Sequence, residues 1–123
     1  MLDHVSIQVD DVAAASAFYD QVLGALGYRR LMDFGESMGY GDEFPSFWIG
    51  LATDAIPNRQ SHLAFQAASD AEVDAFFAAA TELGAEVLHE PRIWPEYHPG
   101  YYGAFVRDPD GNNVEAVHHT FPG

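Results

Sequence analysis

Residues 4–11 read H-V-S-I-Q-V-D-D and residues 62–66 read H-L-A-F-Q, so a strand-like pattern that begins with histidine occurs twice. In the first copy Val5, Ile7 and Val9 alternate with polar residues, which is the period of a strand with one buried face. Further identities and similarities follow at the same offset along the chain. His4, Gln8, Ala17, Phe18 and Tyr19 correspond in this way to His62, Gln66, Ala75, Phe76 and Phe77.

Each half of the chain is predicted to contain one strand, one helix and then three strands. In the first half Asp10 and Asp11 favour the start of a helix, and in the second half residues 69–72, S-D-A-E, form a capping-box sequence. Gly27 and Gly84 are typical residues just beyond a helix end. The strands that follow are predicted near residues 28–34, 37–41 and 46–52 in the first half, and near residues 85–90, 101–107 and 112–118 in the second.

The repeat predicts a single α+β domain over residues 1–123. Its two βαβββ modules, about residues 1–52 and 61–119, are expected to be related by a pseudo-twofold axis. Together they would form a cupped mixed sheet with the helices outside. Histidines at equivalent positions of the two first strands would then reach the same face of the cup.

Composition excludes several classes of function. Nineteen acidic and five basic residues give a formal net charge of −14, which disfavours nucleic-acid and membrane partners and attracts cations. There is no cysteine, so disulfides, thiolate nucleophiles and zinc–thiolate sites are excluded, and with no lysine there is no Schiff-base chemistry. The chain has no apolar run long enough for a membrane helix and no recognisable signal peptide, so we expect a cytoplasmic protein.

Three stretches carry a resemblance to a known family. They are residues 4–11, residues 18–27 (F-Y-D-Q-V-L-G-A-L-G) and residues 108–117 (D-P-D-G-N-N-V-E-A-V). With the doubled module, the chain resembles the vicinal oxygen chelate superfamily, which includes glyoxalase I, extradiol dioxygenases, fosfomycin-resistance proteins and bleomycin-binding proteins. The resemblance implies the fold over nearly the whole chain, but the reaction differs among members.

The resemblance implies a metal site at His4, His62 and Glu115, which match ligand positions in the superfamily. Two imidazoles and one carboxylate suit a divalent ion with open positions, such as Fe, Mn, Zn or Ni. Glyoxalase I relatives carry a further carboxylate near the position of Trp48, and its absence argues against that activity. In domain-exchanged relatives the ligands come from two chains, so we expect a homodimer with a shared site.

Other side chains are candidates for catalysis or substrate binding. Ser6 shares a strand face with His4, and His98 and Tyr102 lie in an aromatic, proline-rich segment that resembles a pocket lid. An ordered surface loop explains that segment equally well. The candidates for substrate binding are Phe44, Trp48, Arg92, Trp94 and Tyr101.

The sequence leaves three functions open. The first is a metal-dependent lyase, isomerase or dioxygenase that acts on a small oxygen-rich substrate. The second is a metal-free binding protein that sequesters a cationic or aromatic compound, with Glu115 as an anchor. The third is a scaffold with no small-molecule task, which the polar strand faces around His4 and His62 disfavour.

Overall fold

The computed structural model describes residues 1–121. The first module contains β1 (Val5–Val9), α1 (Val12–Gly24), β2 (Arg29–Asp33), β3 (Ser37–Gly41) and β4 (Pro45–Leu51). The second contains β5 (His62–Gln66), α2 (Asp70–Glu82), β6 (Val87–Ile93), β7 (Tyr101–Arg107) and β8 (Asn113–His119).

Each module forms a four-stranded mixed sheet. Sheet 1 has the order β1-β4-β3-β2 and sheet 2 has the order β5-β8-β7-β6. In both sheets the first strand pairs parallel with the last strand of its module, and the other pairs are antiparallel. The predicted α+β fold of two βαβββ modules is therefore confirmed. Strand β6 extends past its predicted end through Pro91, which an edge strand tolerates because one row of its N–H groups has no strand partner.

The helix ends follow the sequence signals. The Asp11 carboxylate accepts a hydrogen bond from the Ala14 N–H at 3.0 Å, and the Ser69 hydroxyl accepts one from the Glu72 N–H at 3.1 Å. Gly27, with φ of 85°, lies in the left-handed region beyond α1, where a side chain would be strained. Local chemistry thus determines where α1 and α2 begin and where α1 ends.

One hydrophobic core serves both modules. The two helices contact each other, and the rings of Tyr19, Phe47 and Phe65 bring α1, β4 and β5 together. The Tyr19–Phe47 and Phe47–Phe65 ring centroids are 5.0 and 5.1 Å apart. The helix-bearing faces of the two sheets are therefore directed toward this shared core.

A buried hydrogen bond joins the modules. The Tyr19 hydroxyl of α1 donates to Oδ2 of Asp108, just after β7, at 2.6 Å. Asp108 also accepts hydrogen bonds from the Asn112 side chain at 2.8 Å and from the backbone N–H groups of Asp110 and Asn112. The D-P-D-G turn thus contacts the first module as well as connecting β7 to β8.

Each sheet also has a face that points away from the helices, and these two faces do not meet within the chain. Ser6 and Gln8 on β1, and His62 and Gln66 on β5, are exposed. No hydrogen-bonded ladder joins sheet 1 to sheet 2 within residues 1–121. We refer to the face of sheet 1 that carries Ser6 and the face of sheet 2 that carries His62 as the open faces. Among the described residues, no helix has the length and apolar character needed to span a membrane.

Candidate metal centre

A histidine and a buried carboxylate meet on the open face of sheet 2. His62 is the first residue of β5, and Glu115 lies on the neighbouring strand β8, opposite Ala64. The distance from Nε2 of His62 to Oε1 of Glu115 is 2.9 Å. Glu115 is only 1% exposed, whereas half of the His62 side chain is accessible. The structure therefore brings together two of the three residues predicted as ligands.

Tyr101 contacts the second oxygen of this carboxylate. Its hydroxyl, at the start of β7, donates a hydrogen bond to Oε2 of Glu115. Burial raises the pKa of Glu115, and the interactions with Tyr101 and His62 partly oppose that rise. Burial and the adjacent carboxylate also raise the pKa of Tyr101, so its hydroxyl remains a donor at neutral pH.

The neighbouring Tyr102 lies on the other face of the sheet. Its hydroxyl donates to Asp74 of α2 at 2.6 Å, and this carboxylate raises the pKa of Tyr102 to about 12. Successive side chains of a strand point to opposite faces, so Tyr101 and Tyr102 do not share an environment. The tyrosine beside Glu115 is therefore Tyr101, which we predicted to bind substrate, and Tyr102, predicted to be catalytic, contacts the helix.

His4 does not join the His62–Glu115 pair within one chain. It precedes β1, its side chain is about half exposed, and its Nδ1 lies 2.7 Å from Oδ1 of Asp3. Among residues 1–121 no three histidine, aspartate or glutamate side chains converge closely enough to hold a metal ion. Ser6 is exposed on the open face of sheet 1. A complete set of three donors would therefore require a second chain.

The geometry of the pair fits two neighbouring ligands of one divalent ion. Imidazole nitrogen and carboxylate oxygen bind divalent ions at about 2.0–2.2 Å, so two neighbouring donors lie roughly 3.0 Å apart around an octahedral ion and roughly 3.4 Å apart around tetrahedral zinc. The distance between Nε2 of His62 and Oε1 of Glu115 is 2.9 Å. Nitrogen and oxygen donors of this kind suit Fe, Mn, Zn or Ni.

Two aromatic rings, one on β4 and one just after β2, lie together. The indole of Trp48 stacks on Phe34 with centroids 6.0 Å apart and an interplanar angle of 8°. It also lies against Gly39, where an added Cβ would be 2.8 Å from the indole ring. Trp48 is half-buried, with Nε1 donating to the Pro45 carbonyl, and Phe34 is exposed. Phe44, predicted to bind substrate, is exposed in the turn between β3 and β4.

Arg92 and Trp94 contact each other at the end of sheet 2. The Arg92 guanidinium lies 3.4 Å from the centre of the Trp94 ring and forms an ion pair with Glu96. Trp94 is buried, and its Nε1 donates to the Gly103 carbonyl at 2.9 Å. The Trp94 indole is therefore hydrogen-bonded within the fold, and the Arg92 guanidinium lies over its ring.

His98 is part of a histidine pair that was not predicted. Its Nε2 lies 2.9 Å from Nδ1 of His119, while its Nδ1 accepts a hydrogen bond from the Gly100 N–H at 3.1 Å. The acceptor role of Nδ1 places the proton of neutral His98 on Nε2, directed at His119. Both rings pack edge-on to Tyr101, with centroids 5.7 and 5.1 Å from it. His98 is therefore held near the Glu115 site through Tyr101.

Sequence reasoning also missed two residues next to the predicted ligands. Asn113 is the strand neighbour of His62 on β8, and its Oδ1 atom is buried without a hydrogen-bond partner among the described residues. Gly103 lies under Tyr101 and Glu115. A glycine within a strand is itself a signal of close approach, so Gly103 in Y-Y-G-A-F was recognisable in principle. Asn113 carried no such signal.

One sizeable cavity lies away from this site. It has a volume of about 550 Å³ and is lined by Phe18, Leu83, Glu86 and Arg107, among others, near the end of α2. None of its lining residues belongs to the predicted site.

Comparisons with known proteins agree with the fold and its doubled module. Residues 1–116 match the model of the Glyoxalase/Bleomycin resistance protein/Dioxygenase superfamily. A glyoxalase/bleomycin resistance protein from Albidiferax ferrireducens T118 is 32% identical, with a TM-score of 0.86 over 97% of this chain and 99% of that one. Lactoylglutathione lyase from Agrobacterium tumefaciens is 27% identical, with a TM-score of 0.70 over 96% and 92% of the two chains.

A more distant structure shares the fold alone. The fosfomycin resistance protein FosX from Mesorhizobium loti is 17% identical, with a TM-score of 0.71 over 98% of this chain and 93% of that one. The family match nevertheless covers nearly the whole chain, and the Albidiferax protein exceeds 30% identity over almost its full length. This chain therefore belongs to the glyoxalase/bleomycin resistance protein/dioxygenase superfamily.

Proposed function

We propose that this protein is a divalent-metal-dependent enzyme, of lyase, isomerase or dioxygenase type, that acts on a small oxygen-rich substrate. One copy of the chain would supply His62 and Glu115, and His4 would come from a second copy in a homodimer. The observation that carries the proposal is the contact between Nε2 of His62 and Oε1 of the buried Glu115. The metal would be Fe, Mn, Zn or Ni.

The burial of Glu115 supports a role in binding a cation. A carboxylate that is 1% exposed is costly to ionise, and its raised pKa reflects that cost. A divalent ion bound between His62 and Glu115 would favour the ionised form and offset the cost of burial. A bound cation would account for a buried acid between the buried residues Val114 and Ala116.

The exposure of both open faces supports a site shared between chains. Ser6 and Gln8 of β1 lie exposed on the open face of sheet 1, as His62 and Gln66 of β5 do on the open face of sheet 2. A second copy that places its sheet 1 beside this sheet 2 would bring its own His4 toward Glu115. Because the same contact forms twice about a twofold axis, one dimer would carry two sites.

The bound metal would supply Lewis-acid stabilisation of negative charge on substrate oxygens. His62 and Glu115 would hold it, Tyr101 would keep Glu115 in place, and Trp48 would line the site from the opposite chain. We propose His98 and Ser6 as further polar groups that contact substrate. His62 can bind the ion only as a neutral imidazole.

Metal binding after chelator treatment tests the proposal. Purified untagged protein is incubated separately with Fe(II), Mn(II), Zn(II) and Ni(II), and bound metal is measured by mass spectrometry after gel filtration. We expect about one ion per chain in the wild type, in line with two sites per dimer. We also expect a large loss in His62→Ala, Glu115→Gln and His4→Ala. Light scattering on the same column should show a dimer.

Mixed dimers test whether the site is shared. His4→Ala and Glu115→Gln chains are unfolded, mixed in equal amounts and refolded together. A mixed dimer then contains one intact site, made from His4 of one variant and Glu115 of the other. With random pairing this restores about a quarter of the wild-type sites. If mixing restores no binding while the wild type binds metal, the shared site is wrong.

One observation favours a second function, that of a metal-free binding protein. The stacked rings of Phe34 and Trp48 offer a surface on which an aromatic compound could bind. Wild-type protein that remains metal-free with all four ions would support this function and contradict the enzymatic proposal. Binding of a planar cationic dye, measured by fluorescence titration, would then be the positive test.

The identity of residue 48 bears on the reaction. Trp48 pairs with Ser6 across β1 and β4 and leaves this position without a carboxylate ligand. We therefore expect no useful turnover of the hemithioacetal of methylglyoxal and glutathione by the metal-loaded protein. Robust turnover would show that Trp48 does not prevent glyoxalase I activity.

A further inference from the structure

We propose that Tyr101 is the positioning residue of the metal-binding carboxylate and restricts Glu115 to binding through one oxygen, Oε1. This role differs from the substrate contact that the sequence predicted for Tyr101. The inference rests on the proposed function, because it assigns a task toward the metal that His62 and Glu115 would hold. It is carried by the contacts that Tyr101 makes on three sides.

The first contact is the hydrogen bond to Glu115. The Tyr101 hydroxyl donates to Oε2, while Oε1 is 2.9 Å from His62. The two oxygens of one carboxylate are therefore divided between two partners. A metal that displaces the direct His62–Glu115 contact would find Oε1 available and Oε2 already bonded.

The second contact is with the backbone beneath the pair. A Cβ at Gly103 would lie 3.1 Å from Cε1 of Tyr101 and 3.2 Å from Oε2 of Glu115. The absence of a side chain at this position lets the tyrosine ring extend along the sheet and reach the acid on the next strand. Glycine at 103 is thus part of the same arrangement.

The third contact is a set of rings around Tyr101. Tyr97, His98 and His119 lie with their ring centroids 4.9, 5.7 and 5.1 Å from the Tyr101 ring. His98 and His119 are themselves joined at 2.9 Å. Packing on several sides restricts the orientation of the ring, so the hydroxyl is directed at Glu115 before any metal binds. Hydrogen-bond partners of this kind orient metal ligands and increase affinity.

A conservative substitution with a matched control tests this role. Tyr101→Phe removes the hydroxyl and keeps the ring, and Tyr102→Phe removes a hydroxyl that contacts Asp74 on the other face of the same strand. Zn(II) and Co(II) affinities are measured by competition with a chromophoric chelator. We expect Tyr101→Phe to weaken binding by about 10- to 100-fold and Tyr102→Phe to leave it unchanged.

The Co(II) spectrum provides a readout that a merely structural residue would not alter. With Oε2 released, Glu115 can bind through both oxygens, and the higher coordination number lowers the intensity of the visible Co(II) bands. We expect this loss of intensity in Tyr101→Phe and not in Tyr102→Phe. Gly103→Ala, which crowds both Tyr101 and Glu115, should weaken metal binding while the hydroxyl is still present.

The outcomes separate this inference from the proposed function. Wild-type protein that binds neither ion contradicts the metal-dependent function and this role of Tyr101 together. Wild-type binding with equal affinity and an equal Co(II) spectrum in Tyr101→Phe contradicts only the positioning role. If Tyr101→Phe does not fold, the metal affinity of Gly103→Ala is the deciding measurement. A Gly103→Ala protein that binds metal as tightly as the wild type overturns the positioning role of Tyr101.

Discussion

The hydrogen bond between Tyr19 and Asp108 offers a quantitative test of how the two modules are joined. Tyr19→Phe removes one hydroxyl and keeps the ring that packs on Phe47 and Phe65. Both partners are buried and their oxygens are 2.6 Å apart. A hydrogen bond to a charged group contributes about 1.5–3 kcal/mol to stability.

The remaining donors around Asp108 set the expected value within that range. The carboxylate keeps three hydrogen bonds, from the Asn112 side chain and from the backbone N–H groups of Asp110 and Asn112. It is therefore not left unpaired, and we expect a loss of about 1.5–2 kcal/mol in the free energy of unfolding. For a chain of this length that corresponds to a fall in Tm of roughly 5–10 °C.

Thermal and urea unfolding at equal protein concentration measure this effect. The m-value should be unchanged, since the substitution does not alter the surface exposed on unfolding. Tyr102→Phe is the control, because its hydroxyl also bonds a carboxylate at 2.6 Å but lies at the surface. We expect the control to change stability by about 0.5 kcal/mol or less. If the two variants lose equal stability, burial does not strengthen the inter-module hydrogen bond as argued.

Two further substitutions test the open faces. In metal-free protein Glu115→Gln should be more stable than the wild type at neutral pH, because burial raises the pKa of Glu115 and the folded chain favours its protonated form. The difference should be absent below about pH 3, where glutamate is protonated in both the folded and the unfolded state. It should grow as pH rises, to a total of about 1.4 kcal/mol for each unit by which folding raises the pKa. Urea unfolding across this range measures it, and a difference that does not change with pH would contradict the assignment. In sheet 1, Gly39→Ala should displace the Trp48 indole, since the new Cβ would lie 2.8 Å from it, and should shift tryptophan fluorescence. The matched control is Gly24→Ala in α1, where the new Cβ meets nothing within 4 Å; equal spectra for the two variants would refute the contact.

Local patterns in the sequence were sufficient to predict the secondary structure and its duplication. Each of these patterns acts over a few neighbouring residues, so it can be recognised from the sequence alone. They are the alternation in residues 5–9, the cap at Ser69 and the turn at residues 108–111. The resemblance to the superfamily predicted that His62 and Glu115 share a site, and the structure shows that their strands β5 and β8 are neighbours. The extent of β6 was not predictable. A strand can continue through Pro91 only if the pairing with its neighbour does not need a hydrogen bond from that residue, and this depends on the sheet.

The sequence did not determine which face of sheet 2 each residue of β7 lies on. Tyr101 and Tyr102 are identical in type and adjacent, and which of them faces Glu115 depends on the register of β7 against β8. The contact between His98 and His119 was not predictable either, since it joins residues 21 positions apart in the chain. No periodicity reports such contacts.

By itself the sequence determined two βαβββ modules, their helix ends and the chemical types of the donors, because these depend on interactions between residues close together in the chain. The tertiary structure alone decided that the two helices pack on each other and that the face bearing His62 is open. It also decided that His4 lies apart from Glu115 within one chain. These features follow from how the modules bury their hydrophobic faces against each other, and that packing is a property of the whole fold.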